Sequence, residues 1–193
     1  MRLTALCAAL LLAAGLAGCA TSEPDAPRDG IHVTRFHLGQ GPIARGQITV
    51  EPINLADANA PGFASYSAAV KRELARLGYT LTDDVPESEL VAIVDVEQGS
   101  PEAIARYPGL GIGGGAAIGR SSGLGADRPE IVATLLEVRI KRRSDGTIFW
   151  EGRALDEAPA ASPEAQPQYA VDKLAHALFG DFPGESGRTI IVE

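Results

Sequence analysis

The segments that decide the fold are IVATLLEVRIKR at residues 131–142 and IFWEGRA at residues 148–154. Both are rich in β-branched and aromatic residues, and the connection between them carries a glycine, Gly146. This pattern is typical of two strands joined by a tight turn. A three-residue loop, Ser144 to Gly146, uses that glycine in the left-handed conformation and sets Arg143 opposite Thr147. The sequence therefore predicts an antiparallel hairpin.

The side chains of the two segments test this register. Residues that face each other across an antiparallel pair stabilise it when their charges are opposite or when both are apolar. The predicted pairs are Arg139 with Glu151 and Glu137 with Arg153 on one face, and Ile140 with Trp150 and Leu136 with Ala154 on the other. A two-residue loop would place Ile140 opposite Glu151, so we exclude it.

Segments on either side of the hairpin complete an α+β domain. Strands are predicted at 31–38, 46–52 and 90–96, and the last of these (LVAIVDV) reads as a central strand because its apolar run is nearly continuous. Helices are predicted at 62–77, ending at Gly78, and from about 166 to 179, because apolar residues recur there at helical spacing. Residues 189–192 are either a short terminal strand or loose chain.

The N-terminus has the order of a secretory signal. Arg2 precedes an apolar stretch at 3–16 that is too short to cross a bilayer, and Leu16-Ala17-Gly18-Cys19 closes it. This ending resembles the signals of bacterial lipoproteins, which implies cleavage between Gly18 and Cys19 and acylation of Cys19. Ala20 favours the outer membrane by the rule of those lipoproteins. We expect a signal peptide at 1–18, then the lipidated cysteine and a polar, flexible tether at 19–30.

Composition narrows the function further. Loss of 18 residues from 193 leaves 175, enough for one domain with a sizeable core. The formal net charge of −8 becomes −9 without Arg2, which argues against a nucleic-acid partner. Because Cys7 leaves with the signal and Cys19 takes the lipid, the domain has no thiol for a disulfide, a zinc site or a nucleophile.

A glycine-rich insertion occupies residues 109–125, GLGIGGGAAIGRSSGLG. Gly109, Gly111 and Gly114 match a dinucleotide-binding loop, but Tyr107-Pro108 precedes them instead of a strand and no amphipathic helix follows. We therefore do not assign a nucleotide. The insertion is either a disordered loop or a segment that touches a partner or a membrane through its apolar residues Leu110, Ile112 and Ile118.

The candidate acid–base and metal-binding residues do not form a recognisable constellation in the sequence. Asp95 and Glu97 share one face of their strand by alternation, as a solvated edge or as a carboxylate pair. His32 and His37 fall on opposite faces of a strand, and His176 stands alone on a helix. We assign no catalytic residue, metal site or cofactor.

Several stretches together resemble a family of bacterial lipoproteins known as domain of unknown function 4136. They are LARLGY at 74–79, AIVDV at 92–96, the hairpin from ATLL at 133–136 through IFWEGRA at 148–154, and Phe182-Pro183. The resemblance covers about 31–183 and implies helices packed on one face of a mostly antiparallel sheet. Residues 184–193 would form a tail or short strand. The sequence departs from the pattern of this family in two places. One is the EL start of the strand at 89–90, and the other is the first strands, which lack the family's common aromatic pattern.

The function expected from these observations is that of a non-enzymatic, membrane-anchored module that binds another envelope protein or lipid on the periplasmic side of the outer membrane. Two alternatives stay open. One is a hydrolase of envelope material, for which a pocket holding Asp95, Glu97 or a histidine would be needed. The other is an auxiliary lipoprotein of a lipid or solute transport complex, for which an apolar groove would be needed.

Overall fold

The computed structural model describes residues 30–39, 43, 45–86, 88–106 and 130–193. The seven strands are β1 (Ile31–His37), β2 (Gln47–Pro52), β3 (Thr80–Leu81), β4 (Leu90–Gly99), β5 (Ile131–Arg142), β6 (Ile148–Pro159) and β7 (Thr189–Val192). The helices are α1 (Pro61–Arg76), α2 (Pro101–Ile104) and α3 (Pro167–Phe179). The expected signal peptide, the tether before Gly30 and the glycine-rich insertion lie outside the described residues.

The strands form one sheet in the order β3-β2-β4-β5-β6-β1-β7. Four neighbouring pairs, from β4 through to β7, are antiparallel, whereas β2 runs parallel to both β3 and β4. The parallel pairs require a crossover, which α1 supplies between β2 and β3. The α+β class with a mostly antiparallel sheet is confirmed, and β4 is an interior strand as predicted.

The predicted hairpin is correct along its length but wrong at its turn. All four predicted cross-strand pairs are present. The Arg142 N–H donates to the Thr147 carbonyl at 2.9 Å, so Arg143 does not face Thr147 and the loop comprises residues 143–146. Lys141 then faces Ile148, and a bulge at Phe149 restores the register that begins with Ile140 and Trp150. Gly146 has the expected positive φ, 71°.

Both long helices pack on one face of the sheet. The core between them combines β-strand residues such as Val33, Val138 and Trp150 with helical residues such as Leu74 and Leu174. Because apolar residues alternate along the strands and recur at helical spacing in α1 and α3, these faces were recognisable in the sequence. Gly78, at φ 89°, ends α1 as predicted.

Trp150 is the largest side chain in this core and is fully buried. Its indole stacks on Phe179 with ring centroids 5.2 Å apart, and its Nε1–H donates to the Pro183 carbonyl at 3.1 Å. Gly152 lies under the indole, so a Cβ at that position would come within 2.8 Å of Leu178 Cδ1. The Trp-x-Gly segment of β6 is therefore a packing motif.

The opposite face, which we call the open face, carries neither long helix. Of the described helices, α2 crosses one end of it, where Ile104 packs with Ala133, Leu135 and Leu155 in a small separate cluster. The side chains of the open face are those that alternate with the core residues along each strand. It is on this face that the charged pairs of the hairpin lie.

The two ends of the sheet differ in what they connect to. Ile31, where the described domain begins, pairs with Val192, and the starts of β5 and α2 lie at the same end. We call this the tether end. Residues 106 and 130, which flank the glycine-rich insertion, also lie there, since residue 106 follows α2 and the Glu130 carbonyl accepts from Ala160 N–H. The hairpin turn lies at the other end.

Candidate binding face

The residues proposed from sequence as functional fall in two groups. Gly18, Cys19, Leu110, Ile112 and Ile118 all lie outside the described residues. The other group is described: Asp95 and Glu97 lie on β4, and His32 and His37 on β1. Asp95, Glu97 and His32 lie on the open face, whereas His37 lies on the core side of β1.

The three histidines are held apart. His32 and His37 occupy opposite faces of β1, as the spacing predicted. The ring nitrogens of His37 lie 3.0 Å from the Gly39 carbonyl oxygen and 3.1 Å from that of Gly184. His176 contacts Glu73 at 3.2 Å on the helical side. Within the described residues, no three His, Cys, Asp or Glu side chains converge in a way suited to a metal ion.

The centre of the open face is a cluster of four charged residues, Glu137, Arg139, Glu151 and Arg153, which we call the charged ladder. Arg153 Nε lies 3.0 Å from Glu137 Oε2, and Arg153 also pairs with Glu151. Arg139 contacts Glu137 and lies 3.5 Å from Glu151 Oε2. Glu137 itself is only 2% exposed. A carboxylate buried this far is tolerated because two guanidinium groups lie against it.

A second polar cluster joins the hairpin turn to β2. Arg143 Nη2 donates to Glu51 Oε1 at 2.5 Å and to Thr49 Oγ1 at 2.8 Å, and its Nε donates to Ser88 Oγ at 3.1 Å. The partners lie 55 to 94 residues away in the chain. No local pattern in the sequence points to these contacts, and sequence analysis missed them.

Asp95 and Glu97 occupy the part of the open face nearer the tether end. Asp95 lies directly opposite Glu137 across the β4–β5 pair. The pKa of Glu97 is raised from its ordinary value, first by partial desolvation and second by the negative charge of Asp95. The two carboxylates therefore share a face and interact electrostatically, as alternation predicted.

Exposed apolar side chains lie at the end of β1, just after it and at the start of β6, opposite the tether end. They are Phe36, Leu38 and Ile148, and we call them the apolar patch. Phe36 faces Glu151 of the charged ladder, and Leu38 N–H donates to the Phe149 carbonyl at 3.0 Å beside Ile148. Leu38 is 64% exposed. The open face thus combines fixed charges with unburied apolar surface.

The fold and this face define an α+β domain with a mixed seven-stranded sheet and one charged face on which neither long helix packs. No family model matches the chain. An uncharacterized protein of Zymomonas mobilis is 28% identical, over 82% of this chain and 78% of that protein. That similarity gives a relative without assigning a function.

One solved structure shows the same type of fold. A PDZ domain protein from Parabacteroides distasonis aligns over 83% of this chain with a TM-score of 0.51 and 11% identity. This chain spans only 38% of that protein's length. The PelC dodecamer from Paraburkholderia phytofirmans aligns over 76% of this chain and 96% of its own, with 11% identity and a TM-score of 0.39. At these identities the first likeness describes the fold alone.

Among the described residues, no helix has the length and apolar character needed to cross a membrane.

Proposed function

We propose that this chain is a lipoprotein of the cell envelope, anchored through acylated Cys19 in the outer membrane and facing the periplasm, whose α+β domain binds another envelope protein without catalysing a reaction. The Leu16-Ala17-Gly18-Cys19 signal and the polar segment after it support the anchor. The proposal includes the resemblance to domain of unknown function 4136, carried chiefly by the Trp150 and Gly152 packing motif.

The observation that carries the binding role is the composition of the open face. Arginine and aromatic side chains beside apolar ones are characteristic of protein interfaces, where charges give specificity and apolar groups give affinity. Here Arg139 and Arg153 are already held in place by carboxylates, so a partner would meet an ordered surface. Phe36 and Leu38 beside them offer apolar surface that the monomer leaves in water.

The position of this surface fits an anchored protein. The apolar patch lies at the end of the sheet farthest from Ile31, where the chain arrives from the proposed anchor. A partner reaching in from the periplasm would therefore meet the patch first. The described residues 106 and 130, between which the glycine-rich insertion lies in the chain, are at the tether end, so Leu110, Ile112 and Ile118 are proposed as a second contact, closer to the membrane.

In-cell crosslinking of the tagged lipoprotein, followed by mass spectrometry of its detergent-solubilised partners, tests this proposal. We expect one discrete partner that is lost in Leu38→Asp, because a charge in the apolar patch would have to be desolvated in the complex. Tyr169→Asp is the matched control, since Tyr169 is 60% exposed on α3, away from the open face. A partner retained by both variants, or no partner with correctly anchored protein, contradicts the open-face interface.

A deletion of residues 109–125 in the same experiment tests the insertion separately. Loss of the partner with the deletion but not with Leu38→Asp would assign binding to the insertion instead of the open face. The thermal unfolding midpoint of each variant serves as the control for folding.

A hydrolase of envelope material is the second candidate, and Glu97 is the observation that favours it. A carboxyl group with a raised pKa beside a second carboxyl group is an arrangement that acid–base hydrolysis uses, and Asp95 shares the open face with Glu97. Incubation of the full-length protein with isolated cell-wall polymer should then release soluble fragments. Such release must be lost in Glu97→Gln; equal release by the variant, or none by the wild type, counts against the hydrolase.

A further inference from the structure

The strand β7 forms one edge of the sheet. Among the described residues it pairs with β1 on one side and with no strand on the other. Its sequence, Thr189-Ile190-Ile191-Val192, consists entirely of uncharged β-branched residues. Proteins usually protect a free edge with lysine, proline, a bulge or a very short strand. β7 has no lysine, proline or bulge, and Ile191 is 62% exposed on the open face.

The opposite edge of the sheet is protected. β3 has only two residues, and Asp83, Asp84 and Pro86 follow it closely. An edge strand of this length and charge offers little to an added strand. The two edges of one sheet therefore differ, and only β7 resembles a strand that is completed by another chain.

A second copy of this chain could supply the strand that pairs with the free edge of β7. The registers in which β7 can pair with β7 of that copy decide whether it fits. In an antiparallel pair, facing residues must both point their backbone groups toward the other strand or both away from it. The two-fold axis that relates the two copies of β7 can therefore pass at Ile191 or at Ile190, but not between them. The axis through Ile190 would set Arg188 opposite Val192 of the second copy.

The axis through Ile191 gives a better match. The exposed Ile191 side chains then face each other on the open face, and Ile190 faces Val192 of the second copy on the core face. Both Ile190 and Val192 already pack against the core, so this register continues the apolar layer from one domain into the next. Thr189 would face Glu193, which keeps the charge at the end of the paired segment.

We infer that β7 pairs with β7 of a second copy of this chain, antiparallel about a two-fold axis at Ile191, so that two seven-stranded sheets become one continuous sheet. The axis is perpendicular to the sheet, because the same edge of each copy takes part. The long helices of both copies then lie on one side and both open faces on the other.

The position of the tether supports pairing with a second copy of this chain. This argument rests on the proposed lipid anchor. Ile31 pairs with Val192, one residue from the axis. With strands about 4.8 Å apart and about 3.4 Å per residue, the Ile31 residues of the two copies lie about 16 Å apart. The 11 residues between Cys19 and Ile31 can span up to roughly 36–40 Å. Both anchors can therefore reach the same bilayer.

The paired segment is short, so the association should be weak in solution. A standard interface uses about 20–30 residues from each partner, whereas β7 contributes four, with its flanking residues. If both copies are anchored in one membrane, the effective concentration of each copy around the other rises. The dimer is then favoured without any new contact. The measurement in solution must therefore detect a transient dimer, for which disulfide trapping is suited.

Single-cysteine variants of the full chain test the inference. Cys7→Ser and Cys19→Ser remove the native thiols, and Ile191→Cys, Ile190→Cys or Thr189→Cys introduces one. Only residue 191 faces itself in the proposed register; residue 190 meets its own copy at about 8 Å and residue 189 at about 14 Å, beyond the roughly 7 Å reach of a disulfide. Copper-catalysed oxidation should therefore give dimers about ten-fold faster at 191 than at 189 or 190.

Sedimentation velocity at high protein concentration provides a second readout. Ile191→Lys should remove the dimer, because two positively charged lysines would face each other at the axis. In natural sheets, lysine on an edge strand likewise prevents pairing with another strand. Ile53→Lys is the matched control, an isoleucine that is 49% exposed beside β2, and should leave the dimer intact. Far-UV circular dichroism confirms that both variants fold.

Two outcomes overturn the inference. Fastest crosslinking at 190 would show the other register, and equal slow oxidation at all three positions would show that β7 does not pair with itself. Because Cys19 is absent from these variants, either outcome leaves the lipid anchor and the open-face interface untouched. Crosslinking at 191 that an excess of cysteine-free protein with Ile191 intact does not slow would also count against a specific pair.

Discussion

Arg35 is a cation built into the core side of β1. Its Nε donates to the Leu178 carbonyl at 2.8 Å and its Nη2 donates to the Ala177 carbonyl at 2.9 Å, so it satisfies carbonyl groups at the C-terminal end of α3. Asp181 pairs with it at 2.6 Å. Burial lowers the pKa of Arg35, and the charge of Asp181 opposes that shift. The side chain therefore ties the last turn of α3 to the sheet.

Replacement of this cation should cost stability. We expect Arg35→Met to lower the free energy of unfolding by about 2–4 kcal/mol, because buried carbonyl groups lose their donors. Urea unfolding measures it. The control is Arg188→Met, whose side chain is 65% exposed in a surface pair with Glu185 and should change stability by less than about 0.5 kcal/mol. Equal effects would mean that Arg35 is not a structural cap.

Tyr79 is a buried phenol whose hydroxyl finds no hydrogen-bond partner among the described residues. Its ring lies edge-on to Phe182 with centroids 6.4 Å apart. Burial raises its pKa to about 12, although Arg45 acts in the opposite direction. In the unfolded chain the phenol titrates near its ordinary value of about 10. The folded state therefore holds this proton more tightly than the unfolded state.

This difference predicts an alkaline loss of stability. The contribution of Tyr79 is complete below about pH 10 and is lost as the pH rises toward 12, by up to about 2–3 kcal/mol. Tyr79→Phe should abolish that dependence and match or exceed the wild type by about 1 kcal/mol at neutral pH, since an unsatisfied hydroxyl is removed. Thermal unfolding of both proteins between pH 7 and 11 gives the comparison. A wild-type profile parallel to that of the variant would disprove the assignment.

At the scale of elements, the β5–β6 hairpin and α3 meet through one close contact. Gly152 lets Trp150 and Leu178 pack over the strand, and an added Cβ would overlap the indole as well as Leu178 Cδ1. The backbone of a strand cannot retreat easily, because Gly152 is paired with Val138 on one side and Arg35 on the other. Packing across this layer therefore depends on the absence of one methyl group.

We expect Gly152→Ala to destabilise the protein by about 1–3 kcal/mol through overpacking. Gly180→Ala is the control, because Gly180 has φ −56° and its added Cβ would lie 3.4 Å from the nearest atom. That variant should change stability by less than about 1 kcal/mol. Chemical unfolding and the near-ultraviolet circular dichroism of Trp150 together show whether the indole has moved. Similar losses in the two variants would argue against the close contact.

At the scale of the whole molecule, the domain has a tether end and a distal end. The described core begins at Ile31, whereas the proposed anchor is at Cys19. Anchoring and folding should therefore be separable. The distal end carries the hairpin turn and the apolar patch, which places the proposed binding surface away from the point of attachment.

Membrane fractionation tests this separation. Cys19→Ser should move the protein from the membrane to the soluble fraction, since at about 0.8 kcal/mol per methylene the acyl chains supply the membrane affinity. The thermal unfolding midpoint of the domain should not change. Cys7→Ser, within the expected signal peptide, is the control and should stay in the membrane fraction. Retention of the Cys19→Ser protein in the membrane would disprove the anchor.

The class of fold, the two long helices, the strands β1, β2 and β4 and the body of the hairpin could be predicted, because alternation, helical spacing and turn glycines are visible within about 10–15 neighbouring residues. The short helix α2 was not predicted, and the sequence left residues 189–192 open between a strand and loose chain. Asp95 and Glu97 sharing a face follows from the same local rule. The four-residue turn and its bulge could not be read in this way, since the wider loop and the extra residue at Phe149 compensate each other.

Only the tertiary structure decided the rest. Arg35 finds its acceptors 142 and 143 residues away, and Arg143 finds Glu51 92 residues away. The parallel pairing of β2 with β4, and the place of β7 at an edge, likewise depend on segments far apart in the chain. Local sequence patterns predict which side of a helix or strand is buried. They do not state which distant element covers it, because that choice is made by packing the whole core at once.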